Sequence, residues 1–572
     1  MKTSTPRLIA LLLLFSVISV RSAEKTNILL ITADDLGYEA IDFLGRRMKG
    51  VTPNLSKLAS QSLSFQRGHV NVAICAPSRS IIATGRYGHN SGCIGFNKMP
   101  KPIPTVFGTL QGNGYLTGIL GKVDHSTTDP NFQWDFAHDQ AELGAGRSPK
   151  KYHDYAEAFL ARCRKEEKPF YFMVNSHDPH RPFHNPDKPI KSAENPSRLF
   201  TPEEIHVPAY LTDLPEVREE MSHYYNSVRR LDDTVGRVLE ALDKSGFADN
   251  TLVVFITDNG SAFPFAKANT YLASTHTPML MRLPGVTKPG SMDDTHFVGN
   301  VDFFPTFMDV AGLPKPDGLD GRSVLPLLKG EKQDGREYMF TQIDYTIGGP
   351  PKPMRCIQDK EYGYIFNAFS DGKFAYNNNN EGLTFKAMQK AGAKDPAIQE
   401  RVDMFRHRVV QEFYNLKDDP ECTKNLAGSP EHQDLVAKYQ KRLREWMVET
   451  NDHNIAAFDV RDDPPPNLPK RSGIIPSSRN PRRQKETALQ KSGSSALKIG
   501  CTRRQDARFY VLKARFRKRF NQGVIIGRRT GASPRRLRPD GHRMPFRPGS
   551  RQFQVYSWSL HQRFRFPPLR SF

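Results

Sequence analysis

The stretch TNILLITADD, residues 26–35, passes from a block of aliphatic and β-branched residues straight into two aspartates, Asp34 and Asp35. The stretch TLVVFITDN, residues 251–259, repeats the pattern and ends in Asp258 and Asn259. Short, unbroken apolar runs of this kind predict strands buried on both faces, which is the signature of a parallel sheet. A third run, PFYFMVN at 169–175, leads into His177 and Asp178. In an open α/β sheet, groups just past the carboxyl ends of the strands face a common crevice. These three strands therefore deliver carboxylates, an amide and a histidine to one edge.

Between the strands lie helical patterns. NSVRRLDDTVGRVLEALDKSG, residues 226–246, places Val228, Leu231, Val235, Val238, Leu239 and Leu242 on one face, and Gly246 stops it. Alternating strands and helices predict an α/β domain over residues 24–335, with a central, mostly parallel sheet flanked by helices. Near residue 336 the pattern changes. REYMFTQID, MRCIQDKEYGYIFNAF and RVVQEFYNLKDD read as strands, and PEHQDLVAKYQKRLREWMVET reads as a closing helix. A smaller α+β domain over 336–460 is expected.

Both ends of the chain differ from this body. MKTSTPRLIALLLLFSVISVRSAEK opens with Lys2 and Arg7, continues through the apolar run Leu8–Val20 and reaches small residues at Ser22 and Ala23. That order predicts a signal peptide over residues 1–23, and the run is too short for the ~20 residues of a bilayer span. Export is expected, to a periplasm, a lysosome or the extracellular space. The formal net charge of +21 is confined to the other end. Residues 461–572 hold 28 Lys and Arg against 5 Asp and Glu, which leaves the first 460 residues close to neutral. The tail is rich in Arg, Pro, Ser and Gly without a sustained period, a composition that predicts disorder. Its interspersed aromatics (Phe509, Tyr510, Phe516, Phe520) could hold a polyanion, but export argues against a nucleic-acid partner.

The strand-end residues suggest a metal. Asp34, Asp35 and Asp258 would repel one another unless a cation sat among them, and with Asn259 they form an all-oxygen set that suits Ca²⁺ or Mg²⁺ rather than zinc. Six cysteines in 572 residues are too sparse for a disulfide scaffold and match no zinc spacing. One or two disulfides among five of them stay open. The sixth, Cys75, stands in AICAPSRS, residues 73–80.

CAPSR fits C-x-P-S-R, and with the continuation SRSIIATGRYGHNSG (78–92) it resembles the type I sulfatase family of the alkaline phosphatase-like superfamily. Further segments resemble its N-sulfoglucosamine sulfohydrolase (sulfamidase) branch: TGILGK at 117–122, HDPHR at 177–181, TLVVFITDNGSAFPF at 251–265, PMRCIQ at 353–358, DDPECTKNLA at 418–427 and WMVETND at 446–452. The resemblance covers most of residues 26–455 and implies a hydrolase of sulfate esters or sulfamates on a sulfated carbohydrate. It implies that a formylglycine-generating or other sulfatase-maturating enzyme converts Cys75 to Cα-formylglycine. The hydrate of that aldehyde offers one hydroxyl to attack sulfur and a second to expel sulfate afterwards.

Carried over position by position, Asp34, Asp35, Asp258 and Asn259 match calcium ligands, with modified Cys75 completing the shell. Arg79 matches the residue that holds the aldehyde hydrate. Lys122 and His125 match the pair around nucleophile and sulfate, His177 the acid for the leaving group, and Lys267 a basic residue that grips sulfate. The chain departs from the family in spacing its lysine and histidine as K-x-x-H, and in writing Lys267 where the sulfamidase branch has arginine, a point charge in place of a planar fork. His180, Arg181 and His184 read either as sugar or sulfate contacts or as exposed loop residues. Two alternatives stand beside this reading: a phosphodiesterase or phosphonate hydrolase of the same superfamily, or polyanion binding through the basic tail without catalysis.

Overall fold

A computed structural model of the chain describes residues 25–44, 48–346 and 350–462. The expected signal peptide and nearly all of the basic tail, including Cys501, lie outside the described residues. Eight strands form the main sheet: β1 (Asn27–Asp34), β2 (Leu63–Phe65), β3 (Leu116–Leu120), β4 (Phe136–His138), β5 (Phe170–Pro179), β6 (Thr251–Thr257), β7 (Met279–Arg282) and β8 (Ser291–Asp293), in the order β4-β3-β5-β1-β6-β7-β2-β8. From β4 to β6 all neighbours are parallel, and β7 then runs antiparallel to β6 and to β2.

Side-chain alternation explains why β1 and β6 read as continuous apolar runs. Leu29, Ile31 and Ala33 of β1, with Val253 and Phe255 of β6, join the apolar cluster on one face of the sheet. Ile28 and Leu30, with Leu252, Val254 and Ile256, join the cluster on the other. Both faces are covered, so the central positions 28–31 and 252–256 are apolar without a break, and the polar residues stand toward the strand ends. The helix expected at 226–246 is longer, Pro215–Ser245, with Gly246 closing it in the left-handed conformation. Its first turns, PEVREEMSHYY, carry Val217, Met221 and Tyr224 in the core among charged residues, and those charges mask the apolar stripe.

The second sheet is antiparallel, β9 (Met339–Ile343), β10 (Met354–Gln358), β11 (Tyr362–Asn367) and β12 (Gln411–Asn415) in sequential order, with the helix Gln433–Glu449 packed on it. It shares an apolar cluster with one face of the main sheet, since Ile343, Tyr364 and Trp446 belong to the cluster of Leu29 and Phe255. The five cysteines among the described residues, Cys75, Cys93, Cys163, Cys356 and Cys422, are all unpaired. Among the described residues no helix is long and apolar enough to cross a membrane.

A buried ionic group ties the second sheet to the chain's last described helices. Arg355 is 1 % exposed, and its Nη2 donates to Asp344 Oδ1 at 2.9 Å and Asp452 Oδ1 at 2.9 Å. Burial pushes the Asp344 carboxyl up, but Arg355 and His453 hold it well below the usual carboxylate range. Its stabilising contribution is therefore present above the unfolded value of ~4 and is lost as pH falls toward the folded one. Arg355→Met strands two buried carboxylates. Denaturant titration at neutral pH is expected to show a loss of ~3–5 kcal/mol, and that deficit should shrink as the pH is lowered. A loss below about 1 kcal/mol would contradict the assignment.

Candidate active site

The register places the strand ends side by side. Ala33 pairs with Thr257, so Asp34 and Asp35 leave β1 next to Asp258 and Asn259 leaving β6. The chain turns sharply at Asp35, whose φ is 71°, and its N–H donates to Asp258 Oδ1 at 3.2 Å. Asn259 Nδ2 donates to Asp35 Oδ1 at 2.7 Å. All four residues are buried.

Cys75 begins the helix Cys75–Thr84, which ends at Gly85 in the left-handed conformation. The positive end of the helix dipole thus lies at Cys75, beside the carboxylates. The thiol donates to Asp34 Oδ1 at 3.3 Å and accepts from Lys267 Nζ at 3.2 Å. Burial pushes the Cys75 thiol well up, and Asp34 adds to the shift. An unmodified cysteine here stays protonated and is a poor thiolate nucleophile.

Three cations balance the three carboxylates. Lys267 Nζ lies 2.5 Å from Asp35 Oδ1, and Lys122 pairs with Asp34. Arg79, one helical turn beyond Cys75, reaches Asp258 Oδ2 with Nε and Nη2 at 3.1 and 2.7 Å. Its Nη1 donates to Thr32 Oγ1 at 2.8 Å and to Asn175 Oδ1 at 2.6 Å. Burial pushes Asp34 up, but Lys122 with the surrounding cations holds it well below the usual range. Burial together with Asp34 pushes Asp258 up to about 7, as crowded carboxylates require.

The donor set fits a hard divalent cation. Asp35 Oδ2 and Asn259 Oδ1 are buried without a hydrogen-bond donor. Ligand atoms of Asp34, Asp35, Cys75 and His180 lie within 4.8 Å of one another. His180 is the member that its sequence context left undecided. Its Nδ1 donates to the Arg181 carbonyl at 2.6 Å, which leaves Nε2, 3.9 Å from Asp35 Oδ2, turned toward the cluster. The side chain is 33 % exposed, so it borders both the acids and solvent.

His177 sits differently from expectation. β5 does not stop at Asn175 but continues to Pro179, so His177 lies within the strand. Its Nε2 accepts the Lys122 backbone N–H at 3.2 Å, and burial with nearby Lys122 pushes the ring down to about 2. The ring is neutral and braces the turn at Lys122, whose φ is 50°. The K-x-x-H spacing is taken up by one short turn, Val123–Ser126. His125 is pushed down to about 4 by burial and Lys122, and it packs edge-on against Phe96 with centroids 5.6 Å apart. Among the described residues no hydrogen bond joins His125 to Cys75 or the carboxylates. Asp178 is clamped by Arg230, at 2.7 and 2.9 Å, and by Arg147 at 3.3 Å, which fixes the segment leading to His180. His184 stands apart, its N–H on Ser227 Oγ at 2.7 Å. Asn175, which orients Arg79, carried no signal in the sequence beyond ending a strand.

The model of the sulfatase family matches residues 26–313, half of the chain, and one described as N-sulphoglucosamine sulphohydrolase, C-terminal, matches residues 261–381. Human N-sulphoglucosamine sulphohydrolase is 28% identical over 497 residues, spanning 80% of this chain and 96% of that protein. An ulvan-active sulfatase of Formosa agariphila is 26% identical over 469 residues, covering 75% of this chain and 76% of its own. Among solved structures, one in complex with its substrate D-glucosamine-2-N,6-O-disulfate superposes with a TM-score of 0.56 at 20% identity, over 77% of this chain and 100% of that one. The phosphonate monoester hydrolase of Agrobacterium radiobacter gives 0.54 at 18%, over 74% and 96%. At these identities the structural likenesses concern the fold.

Proposed function

The chain belongs to the sulfatase family, and from that premise we propose that it hydrolyses sulfate esters or sulfamates of a carbohydrate through a formylglycine derived from Cys75. One observation carries the reading: the Cys75 sulfur lies between Asp34 at 3.3 Å and Lys267 at 3.2 Å, where three carboxylates and three side-chain cations converge. A hard divalent cation, Ca²⁺ in this reading, would be held by Asp34, Asp35, Asp258 and Asn259 and would draw charge off the sulfuryl oxygens. With it the site carries two surplus positive charges. A deprotonated hydroxyl of the aldehyde hydrate and a monoanionic sulfate group cancel them, whereas a dianionic phosphomonoester would overshoot.

The chain's own groups then divide the work. Lys122 and Lys267, which pair with Asp34 and Asp35, would meet the sulfuryl oxygens, and Arg79 holds Asp258 in place. One hydrate hydroxyl attacks sulfur, and the sugar oxygen or nitrogen leaves with the bonding electrons and takes a proton. The second hydroxyl then gives its proton to the imidazole left neutral by the first step, the C=O bond reforms, and sulfate departs. Water regenerates the hydrate. We assign the leaving-group proton to His180 as the imidazolium, with Nδ1–H fixed on the Arg181 carbonyl and Nε2–H directed into the cleft, and we assign His177 the bracing of Lys122.

Turnover of a sugar sulfate, a sugar sulfamate, 4-nitrophenyl sulfate and a phosphodiester by protein matured in its host tests the reaction class. Preference for the phosphodiester would overturn it. His180→Ala is expected to lose ~10²–10⁴-fold in kcat/KM on the sugar substrate and much less on 4-nitrophenyl sulfate, whose leaving group departs unaided. His177→Ala is expected to lower both in equal proportion. The reverse pattern would return the acid role to His177.

A further inference from the structure

The sequence YNNNNEG, residues 376–382, has no part in the chemistry above, yet the fold fastens it to the site at both ends. Asn379 Nδ2 donates to the Lys267 carbonyl at 2.6 Å, and Tyr376 Oη donates to the Ala268 carbonyl at 2.6 Å. Lys267 is the residue whose ammonium touches Cys75 and Asp35. At the other end Thr384 N–H donates to Glu220 Oε2 at 2.8 Å, and Glu220 Oε1 accepts from Arg181 Nη1 at 2.6 Å, next to His180. Gly382 makes this approach possible: a Cβ there would lie 2.3 Å from Glu220 Oε1 and 2.7 Å from Arg181 Nη2.

Asn379 adopts a φ of 57°, a left-handed conformation that asparagine tolerates, and its side chain is buried. Its neighbours are spared that role. Asn377 and Glu381 are exposed and Asn378 and Asn380 half-buried. Among the described residues, the amides of Asn377, Asn378 and Asn380 make no hydrogen bond within the chain. The segment that carries these three amides, each with two donors and an acceptor, is thus anchored through Asn379 and Tyr376 to the backbone at Lys267 and Ala268.

Resting on the carbohydrate-sulfatase reading, we propose that Asn377–Glu381 is the sugar-recognition edge of the site, a subsite for hydroxyl and neutral amide groups of the ring bearing the scissile sulfate. Amides match hydroxyls in both directions and gain no ion pair from a further sulfate or carboxylate. Glu381 repels such an anion. The segment therefore selects an otherwise uncharged sugar face, while Lys122 and Lys267 take the sulfate.

The test compares wild type with Asn378→Ala/Asn380→Ala on N-sulfoglucosamine, glucosamine 6-O-sulfate and 4-nitrophenyl sulfate. The loss of two hydrogen bonds predicts that KM for the favoured sugar rises at least about fivefold with kcat little changed. The ratio of sugar to aryl kcat/KM should fall by the same factor. Asn378→Asp/Asn380→Asp, which keeps shape but adds charge, should raise KM further. Equal losses on sugar and aryl substrates, or no change on a sugar that wild type hydrolyses, overturns the assignment alone. Wild-type turnover of 4-nitrophenyl sulfate but of neither sugar overturns the carbohydrate reading and the assignment with it.

Discussion

Cys75→Ser protein is expected to lose steady-state hydrolysis of every sulfated substrate, by on the order of 10⁴-fold or more, while keeping its thermal midpoint. The serine side chain fits the space of the thiol beside Asp34 and Lys267. What it lacks is the second hydroxyl. A serine can accept the sulfuryl group once, but it has no route back through a C=O bond, so a sulfated enzyme accumulates. Mass spectrometry of the Cys75 peptide should show the aldehyde in wild type and, in the serine variant incubated with substrate, a covalent sulfate. Repeated turnover by Cys75→Ser near the wild-type rate would sink the formylglycine mechanism. An unmodified cysteine in fully active wild type would do the same.

Asp34→Asn and Asp35→Asn are expected to lose both the bound divalent cation and at least about 10³-fold in activity. The reason is electrostatic. Each substitution removes one of three charges that would face the cation, and each also unpairs a buried ammonium, Lys122 or Lys267. Elemental analysis should find stoichiometric calcium in wild type and little in either variant. Added Ca²⁺ should raise the thermal midpoint of metal-depleted wild type, because it binds the folded state alone, and should leave the variants unmoved. Stoichiometric calcium retained by both variants would rule out the proposed ligand set.

The three central strands β1, β5 and β6, their parallel pairing and the convergence of Asp34, Asp35, Asp258 and Asn259 were legible in the sequence, whereas the short outer strands were not. Burial on both faces of a sheet forces an unbroken apolar run, and the first polar residues after such runs must lie at the sheet's edge. Cys75 and Arg79 were legible for another reason, since a fixed local motif needs no tertiary contact to be read. By sequence the acid role falls to His177, with His180 left as a sugar or sulfate contact or an exposed loop residue. They are three residues apart in HDPH, and β5 runs on to Pro179 and turns one ring onto the Lys122 N–H and the other toward Asp35. Equally hidden were Asn175 on Arg79, the clamp of Arg147 and Arg230 on Asp178, and the fastening of Asn379 to Lys267. Each of these contacts joins residues far apart in the chain, without a periodic pattern to announce it. The sequence by itself determined which chemistry converges at the sheet edge; the tertiary structure decided which side chains are spent holding that edge together and which are left free to meet a substrate.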